Sequence, residues 1–280
     1  MIKRLKTLGL IINTKAVVIA GLAVLSTYFC LQFGLQGDFP LTLIATAVVF
    51  PIVFSINSAY KRRESVLDDY GQIKAHGRAI YFASRDWLET PDPARCERCQ
   101  GLLGRLLAAA RNLYSSPRSD MAEREAEVYQ CFSDMSQFIR HDLREAGLAG
   151  GEVSRCNQYL SKMLVAFEQT KHVYQYRTPR TLRAFSDAFI TLLPPLYGPY
   201  FAYLAMEFAP SLTYLMPILF ALVLAALDNI QEQLENPFDQ IGQDDVMINA
   251  EKFADRLGIG SEVVPLHSED PTGAPAGVLG

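Results

Sequence analysis

Two long apolar stretches dominate the pattern of hydrophobic and polar positions along the chain. Over positions 16–60 only Asp38 is charged. Over positions 184–227 only Asp187 and Glu207 are charged. Because about 20 apolar residues cross a bilayer as a helix, each stretch is long enough for two helices joined by a turn. The pattern therefore predicts four transmembrane helices, over 16–35, 39–60, 184–206 and 211–230.

The intervening segment, residues 61–183, is polar and has helical periodicity. Mostly apolar residues recur at helical spacing after the second predicted span, which indicates that this helix continues without a break. The recurring residues are Tyr70, Ile73, Gly77, Ile80, Tyr81 and Trp87. Pro91-Asp92-Pro93 is predicted to end the helix, since proline cannot continue one. No strand is predicted, so the expected fold class is an all-α membrane protein with four transmembrane helices and a cytoplasmic helical region.

The pattern divides the chain into five predicted parts. An N-terminal membrane hairpin, a cytoplasmic helical region, a second membrane hairpin, a cytoplasmic post-membrane segment and a tail follow one another. The tail is rich in proline, glycine and alanine, which is typical of disorder. Their predicted ranges are 1–60, 61–183, 184–230, 231–260 and 261–280.

Basic residues precede and follow the first predicted hairpin and precede the second. Neither hairpin turn contains lysine or arginine, so the positive-inside rule places both termini and the central region in the cytoplasm. The expected location is the plasma membrane, which in a bacterium is the inner membrane. The net charge of −4 is mild and indicates no nucleic-acid partner. The flanking basic residues are Lys3, Arg4, Lys6, Lys15, Lys61, Arg62, Arg63, Arg177, Arg180 and Arg183.

Among the five cysteines, Cys96 and Cys99 form a C-x-x-C motif. Such a pair is half of a zinc site or a redox pair. A zinc ribbon needs a second close pair, and the sequence has none. Because disulfides are rare in the cytoplasm, the favoured interpretation is two reduced thiols in a loop after Pro91 and Pro93, with metal or redox function as the alternative. We predict no metal and no cofactor.

One acid lies near the start of the third predicted span. Asp187 is costly there, because intramembrane carboxylates usually face a partner or a cavity. Arg183 lies one helical turn earlier and is the predicted partner. A structural salt bridge is favoured over a direct role in ion passage.

Three further acids, Asp228, Glu232 and Glu235, share one side of the fourth predicted helix as it leaves the membrane. They are predicted either to form a solvated face or to pair with Arg62 or Arg63. Both interpretations are favoured over a role in permeation.

The sequence shows no arrangement of residues that is typical of a catalytic site. The four histidines are scattered, with no spacing that binds a metal on one helix face. No glycine-rich phosphate loop and no nucleophile elbow is present in the sequence. We therefore predict that the chain is not an enzyme. A membrane-bound enzyme with its active site in residues 61–183 remains one alternative, and a secondary transporter is another, although transporters usually show repeated halves.

Two regions of the sequence resemble the bestrophin family of membrane ion channels, in the form of its bacterial members. Residues 50–87 are similar to the family's second helix, with aromatic residues, an Asn/Ser-rich stretch, the basic Arg62 and then an aromatic–glycine pair, Tyr70-Gly71. Residues 176–257 contain a Thr-Pro entry to the third helix, two spans and an Asn-Pro-Phe tripeptide. That tripeptide follows an acid at the cytoplasmic end of the fourth span. The post-membrane motif is Glu235, Asn236, Pro237 and Phe238.

The resemblance implies a homopentamer in the lipid bilayer with one central pore that passes small monovalent ions. Animal members are chloride channels, and some bacterial relatives conduct cations. Anions such as chloride are slightly favoured here, with cation conduction on the same scaffold as the alternative.

The second helix is expected to form the narrow neck of this pore. Phe50, Phe54, Thr46 and Ser58 are four apart and therefore lie on one helix face, with Asn57 beside them. Rings of phenyl groups at a constriction gate a pore by dewetting. The alternative is that these phenylalanines pack against other helices or contact lipid.

The family has a second constriction in its cytoplasmic part, formed by one apolar side chain per subunit, and Val153 is the candidate by its distance from Thr178-Pro179. Animal members also bind calcium through a dense acidic run after Asn-Pro-Phe. The corresponding run here, 239–245, contains two glutamines and Ile241 where acids are expected. Since calcium requires many oxygen ligands, we predict no calcium gating.

Overall fold

The computed structural model describes residues 13–38, 40–176, 180–207, 213–235, 237–238 and 245–258. Every regular element in these ranges is helical. The α-helices are α1 (Thr14–Gln32), α2 (Leu41–Asp86), α3 (Pro93–Ser115), α4 (Met121–Gln137), α5 (Gly150–Gln175), α6 (Arg180–Leu196), α7 (Gly198–Glu207), α8 (Leu215–Glu235) and α9 (Ala250–Gly258). A 3-10 turn (Arg118–Asp120) precedes α4, and a π-helical turn (Phe138–Leu143) follows it.

Helix α2 is the longest element of the described chain and runs through Pro51 without interruption. Its 46 residues correspond to about 69 Å, which is more than twice the thickness of the hydrocarbon layer. The predicted continuation of the second span is thus confirmed. The helix ends at Asp86 rather than at the Pro-Asp-Pro sequence. That sequence instead begins α3, because Asp92 caps the helix by accepting from the Ala94 amide at 3.0 Å and Pro93 occupies the first turn.

Among the described residues, three helices are long and apolar enough to cross a membrane: α1, the apolar part of α2, and α8. Together with α6 and α7 they bury one set of apolar side chains, which we call the span cluster. Ile19, Ile52, Ile190 and Leu224 lie at its centre and are almost fully buried. Large apolar side chains cover the outside of the same helices, including Val17, Leu25 and Val223, as a lipid-facing surface requires.

The third predicted span, 184–206, is divided into α6 and α7 at Tyr197. Prolines cause this division, because Pro194, Pro195 and Pro199 each lack the amide hydrogen of a helical bond. The carbonyl oxygen of Pro195, which Pro199 cannot bond, accepts instead from Ser26 Oγ of α1 at 2.6 Å. Gly198 permits this close approach, since a Cβ there would collide with Ser26.

A second and larger set of buried side chains, the body cluster, lies around the other half of α2. It is formed by α2, α3, α4 and α5 with the segment that follows α8. Leu103, Phe138 and Phe167 are among its almost fully buried members. Helix α9 packs on α3, where Arg111 forms a two-bonded ion pair with Glu251 at 2.7 and 2.8 Å.

Candidate pore-lining helix

The five residues predicted for the neck lie together on one exposed face of α2. Thr46, Phe50, Phe54 and Ser58 are exposed in the single chain, and so is Asn57. Phe50 is 57% exposed and Phe54 is 66% exposed, which are large values for phenylalanine. Their rings stack on each other with centroids 6.2 Å apart. The chain therefore presents an aromatic stripe that its own fold does not cover. A role of this stripe in ion conduction stays a prediction.

The opposite face of the same helix segment is buried. Val48, Ile52, Ser55 and Ala59 are each at most 2% exposed. Val48 and Ile52 belong to the span cluster, so this face fixes α2 against the other spans. The stripe of Phe50 and Phe54 is consequently held pointing away from the subunit's own core.

Beside Phe50 the exposed face forms a shallow apolar groove of about 380 Å³. The groove is mostly lined by small and β-branched side chains. Its lining residues are Thr42, Ala45, Thr46, Val49, Phe50 and Val53. Its apolar character continues that of the stripe toward the start of α2.

Polar and basic residues follow the phenylalanines along α2. Arg62 Nη1 donates to Ser58 Oγ at 3.3 Å, one turn back along the helix. Arg63 Nη1 donates to Glu64 Oε1 at 2.7 Å. Lys61 is exposed. The helix therefore changes from an aromatic to a basic surface within two turns of Phe54.

An ion-pair network joins the start of α1 to α6 and α8. Lys15 Nζ lies 2.9 Å from Asp187 Oδ1 and 2.7 Å from Asp228 Oδ2. Asn13 Nδ2 donates to Asn229 Oδ1 at 2.8 Å. Asp228 is 10% exposed at its side chain, so Lys15 neutralises a carboxylate that is largely removed from water. Lys15 was expected only to orient the first span, because a partner 172 residues away leaves no local pattern in the sequence.

The predicted Asp187–Arg183 pair is therefore not the main interaction of either residue. Arg183 lies 4.0 Å from Asp187, but only 2.7 Å from Glu235 and 3.0 Å from Glu232. Among the acids of α8, Glu232 and Glu235 pair with Arg183, and Asp228 pairs with Lys15. Arg62 remains within electrostatic range of Glu235. The predicted pair is present at 4.0 Å, and what the sequence did not predict is the set of closer partners. They arise because α6 and α8 pack side by side, which brings residues from distant parts of the chain closer than the next turn.

The post-membrane motif joins α8 to the body cluster. Phe238 is 2% exposed and stacks on Tyr114 with ring centroids 4.6 Å apart, and it meets the edge of Tyr174 at 5.9 Å. Pro237 is buried, and its carbonyl accepts from the Val246 amide at 2.8 Å. Glu235 holds Arg183, as described above. Asn236 lies outside the described residues.

Three other predicted features lie partly or wholly outside the described residues. The acidic run compared with a calcium site is described only at Asp245, which is half-buried. The Thr178-Pro179 entry to the third helix and the tail 261–280 are not described.

Val153, the candidate for the cytoplasmic constriction, lies in the first turn of α5 and packs against the body cluster while half-exposed. Its role as an aperture stays a prediction.

The C-x-x-C motif is helical, which corrects the expectation of a loop. Cys96 and Cys99 lie in α3, since Asp92 and Pro93 begin that helix before the motif. Burial raises the pKa of the Cys99 thiol to about 12, which keeps it protonated and unreactive at neutral pH. Within the described residues, no group of three or more potential metal-binding side chains was found.

The fold of this chain is similar to that of several solved structures. No family model and no curated protein sequence matches this chain. Two structures of a bacterial bestrophin homologue from Klebsiella pneumoniae, each with a single substitution, match with TM-scores of 0.74 at 16% identity. One alignment covers 88% of this chain and 96% of the homologue, and the other covers 87% and 99%. A structure described as a membrane protein matches with a TM-score of 0.74 at 15% identity, over 88% of this chain and 98% of the other.

The likeness extends over nearly the full length of these structures. The fold expected from the sequence resemblance is thereby confirmed.

Proposed function

Starting from the bestrophin fold that this chain has, we propose that it is an ion channel of a cell membrane, in which five copies surround one pore and α2 of each copy lines the neck. The exposed stripe on α2 carries the proposal. A pair of stacked phenylalanines that the chain holds away from its own core requires a partner surface, and a ring of copies around an axis supplies one. The bilayer is a less complete explanation, because Asn57 and Ser58 on the same face are polar.

Five copies of Phe50 and Phe54 form two successive aromatic rings in this arrangement. Such rings expel water when the pore is narrow, which prevents conduction, and admit hydrated ions when it widens slightly. Asn57 and Ser58 then offer oxygen and nitrogen groups to an ion that leaves the rings. The neck thus works as a hydrophobic gate followed by a polar rehydration zone.

The permeating species in this proposal are small monovalent ions, with chloride favoured over cations. The spans are the four predicted ones, with α6 and α7 together forming the third. Both chain termini and the body cluster lie on the cytoplasmic side of the plasma membrane, and Val153 narrows the cytoplasmic vestibule. Because residues 239–245 contain few carboxylates, we expect calcium to leave the current unchanged.

Planar-bilayer recording from the purified protein tests the proposal. Under a potassium chloride gradient we expect the reversal potential to lie between zero and the equilibrium potential of chloride. Phe54→Ala should raise the single-channel conductance, because it widens the ring and weakens dewetting. Leu25→Ala is the matched control, since Leu25 is 52% exposed on α1, away from the proposed neck. Its conductance should equal that of the unmodified protein.

The mass of the purified particle tests the stoichiometry separately. Five copies of the 31.2 kDa chain correspond to about 156 kDa of protein. If the particle is a monomer or dimer, or if the incorporated protein passes no current, the enzyme and transporter interpretations would be favoured instead. A current that reverses on the potassium side would keep the channel and make it a cation channel.

A further inference from the structure

The exposed stripe on α2 does not end at Ser58. At about 100° per residue, the side chain seven residues after Phe54 points within about 20° of the same direction. That residue is Lys61, and it lies about 10 Å further along the helix axis. Lys61 is exposed, as are Ser65 and Asp68 on the following turns. The first charge on the stripe after the phenylalanines is therefore positive.

Lys61 differs from the two basic residues that follow it. Arg62 donates a hydrogen bond to Ser58 and interacts electrostatically with Glu235. Arg63 points about 180° away from Phe54 and pairs with Glu64. For Lys61, the described part of the chain provides no salt bridge within 4.0 Å. Its charge is thus directed along the stripe and is not neutralised by a carboxylate of the described residues.

We infer that Lys61 determines the sign of the ions that pass the neck. The inference rests on the proposed function, since it requires α2 to line a shared pore. Five copies of Lys61 then form a ring of positive charge directly below the Phe54 ring. A positive ring raises the local concentration of anions and lowers that of cations, and it does so most strongly where low-dielectric walls confine the field.

The nearest opposing charge on the stripe is Asp68. It lies about 10 Å beyond Lys61 and so about 21 Å from Phe54. Since the screening length at 0.1 M salt is about 10 Å, the Lys61 ring acts on the neck across one screening length and the Asp68 ring across two. The positive ring therefore dominates the potential at the phenylalanines, and anions are the favoured ions.

Reversal potentials of charge variants under a potassium chloride gradient test this inference. Lys61→Gln should lower the chloride-to-potassium permeability ratio by at least about threefold, as expected for five charges removed about 10 Å from the neck. Lys61→Glu should move the reversal potential to the potassium side of zero. Lys61→Arg should keep the value of the unmodified protein. Arg63→Gln removes the same charge from the opposite face of α2 and serves as the matched control, with no shift expected.

The outcomes separate this inference from the proposed function. If the unmodified protein conducts and both Lys61→Gln and Lys61→Glu keep its reversal potential, Lys61 does not set the ion sign, while the channel stands. The same conclusion follows if the unmodified protein already prefers potassium. If an incorporated unmodified protein carries no current, the proposed function fails first, and the role of Lys61 fails with it. Because Lys61 is exposed, Lys61→Gln is expected to fold and assemble even if the charge-reversed variant does not.

Discussion

At the scale of single residues, Phe238 is the side chain that ties the end of α8 to the rest of the molecule. It is almost fully buried, and its ring contacts Tyr114 of α3 and Tyr174 of α5. A residue three positions after the end of α8 would otherwise be free to move with the loop. Its burial against these two aromatic rings explains why the Asn-Pro-Phe tripeptide ends in an aromatic residue.

We therefore predict that Phe238→Ala destabilises the protein strongly. Replacing a fully buried phenylalanine by alanine typically costs about 3–5 kcal/mol, because it removes apolar burial and leaves a cavity. Thermal unfolding of the purified variant in detergent measures the effect. Phe82→Ala is the control, since Phe82 is 39% exposed on α2 and its loss should lower the melting temperature much less. Equal effects of the two substitutions would show that Phe238 has no special structural role.

At the scale of elements, α1 is fixed to α6 and α8 through its first turn. Lys15 bridges Asp187 and Asp228, and the amide side chains of Asn13 and Asn229 are bonded beside it. Asp228 gains most from the contact, because its carboxylate is nearly buried. The more exposed Asp187 contributes less, since surface ion pairs are screened by solvent.

A double-mutant cycle measures this connection. Lys15→Gln should lower the free energy of unfolding by about 1–3 kcal/mol, because it leaves the Asp228 carboxylate without its cation. In the Asp228→Asn background the same change should cost clearly less. Additive effects would mean that the two side chains do not interact in solution.

Helix α9 is held on α3 by a pair that responds to pH. Hydrogen bonds from the Arg111 guanidinium lower the pKa of Glu251 to about 2, from an ordinary value of 4.5. Because the folded-state pKa is depressed, the pair stabilises the docked helix fully above pH 4.5, and this stabilisation is lost as the pH falls toward 2. The pair is exposed, so its effect is limited to α9.

Hydrogen exchange in α9 should report this loss. Protection of the α9 amides should decrease between pH 4.5 and pH 2, after correction for the intrinsic exchange rate. In Glu251→Gln this additional pH dependence should disappear. If the variant and the unmodified protein show the same dependence, another group controls the docking of α9.

At the scale of the whole molecule, the sequence predicted the features that depend on local pattern. The continuous α2 and the aromatic face at Phe50 and Phe54 both follow from helical periodicity. The acids that Lys15 bridges and the α8 acids that bind Arg183 could not be predicted, because these contacts are set by how distant helices pack. The start of α3 was missed for a local reason, since Pro-Asp-Pro is also a good helix beginning when aspartate caps and proline follows.

In the proposed channel, Phe54 faces a water-filled path through the assembled molecule. The most direct test is the current of a Phe54→Cys variant before and after a charged, membrane-impermeant thiol reagent, with Leu25→Cys as the control. We expect the reagent to block the current of Phe54→Cys and to leave that of Leu25→Cys unchanged. An unaffected current through Phe54→Cys, with modification of the thiol verified by mass, would contradict it.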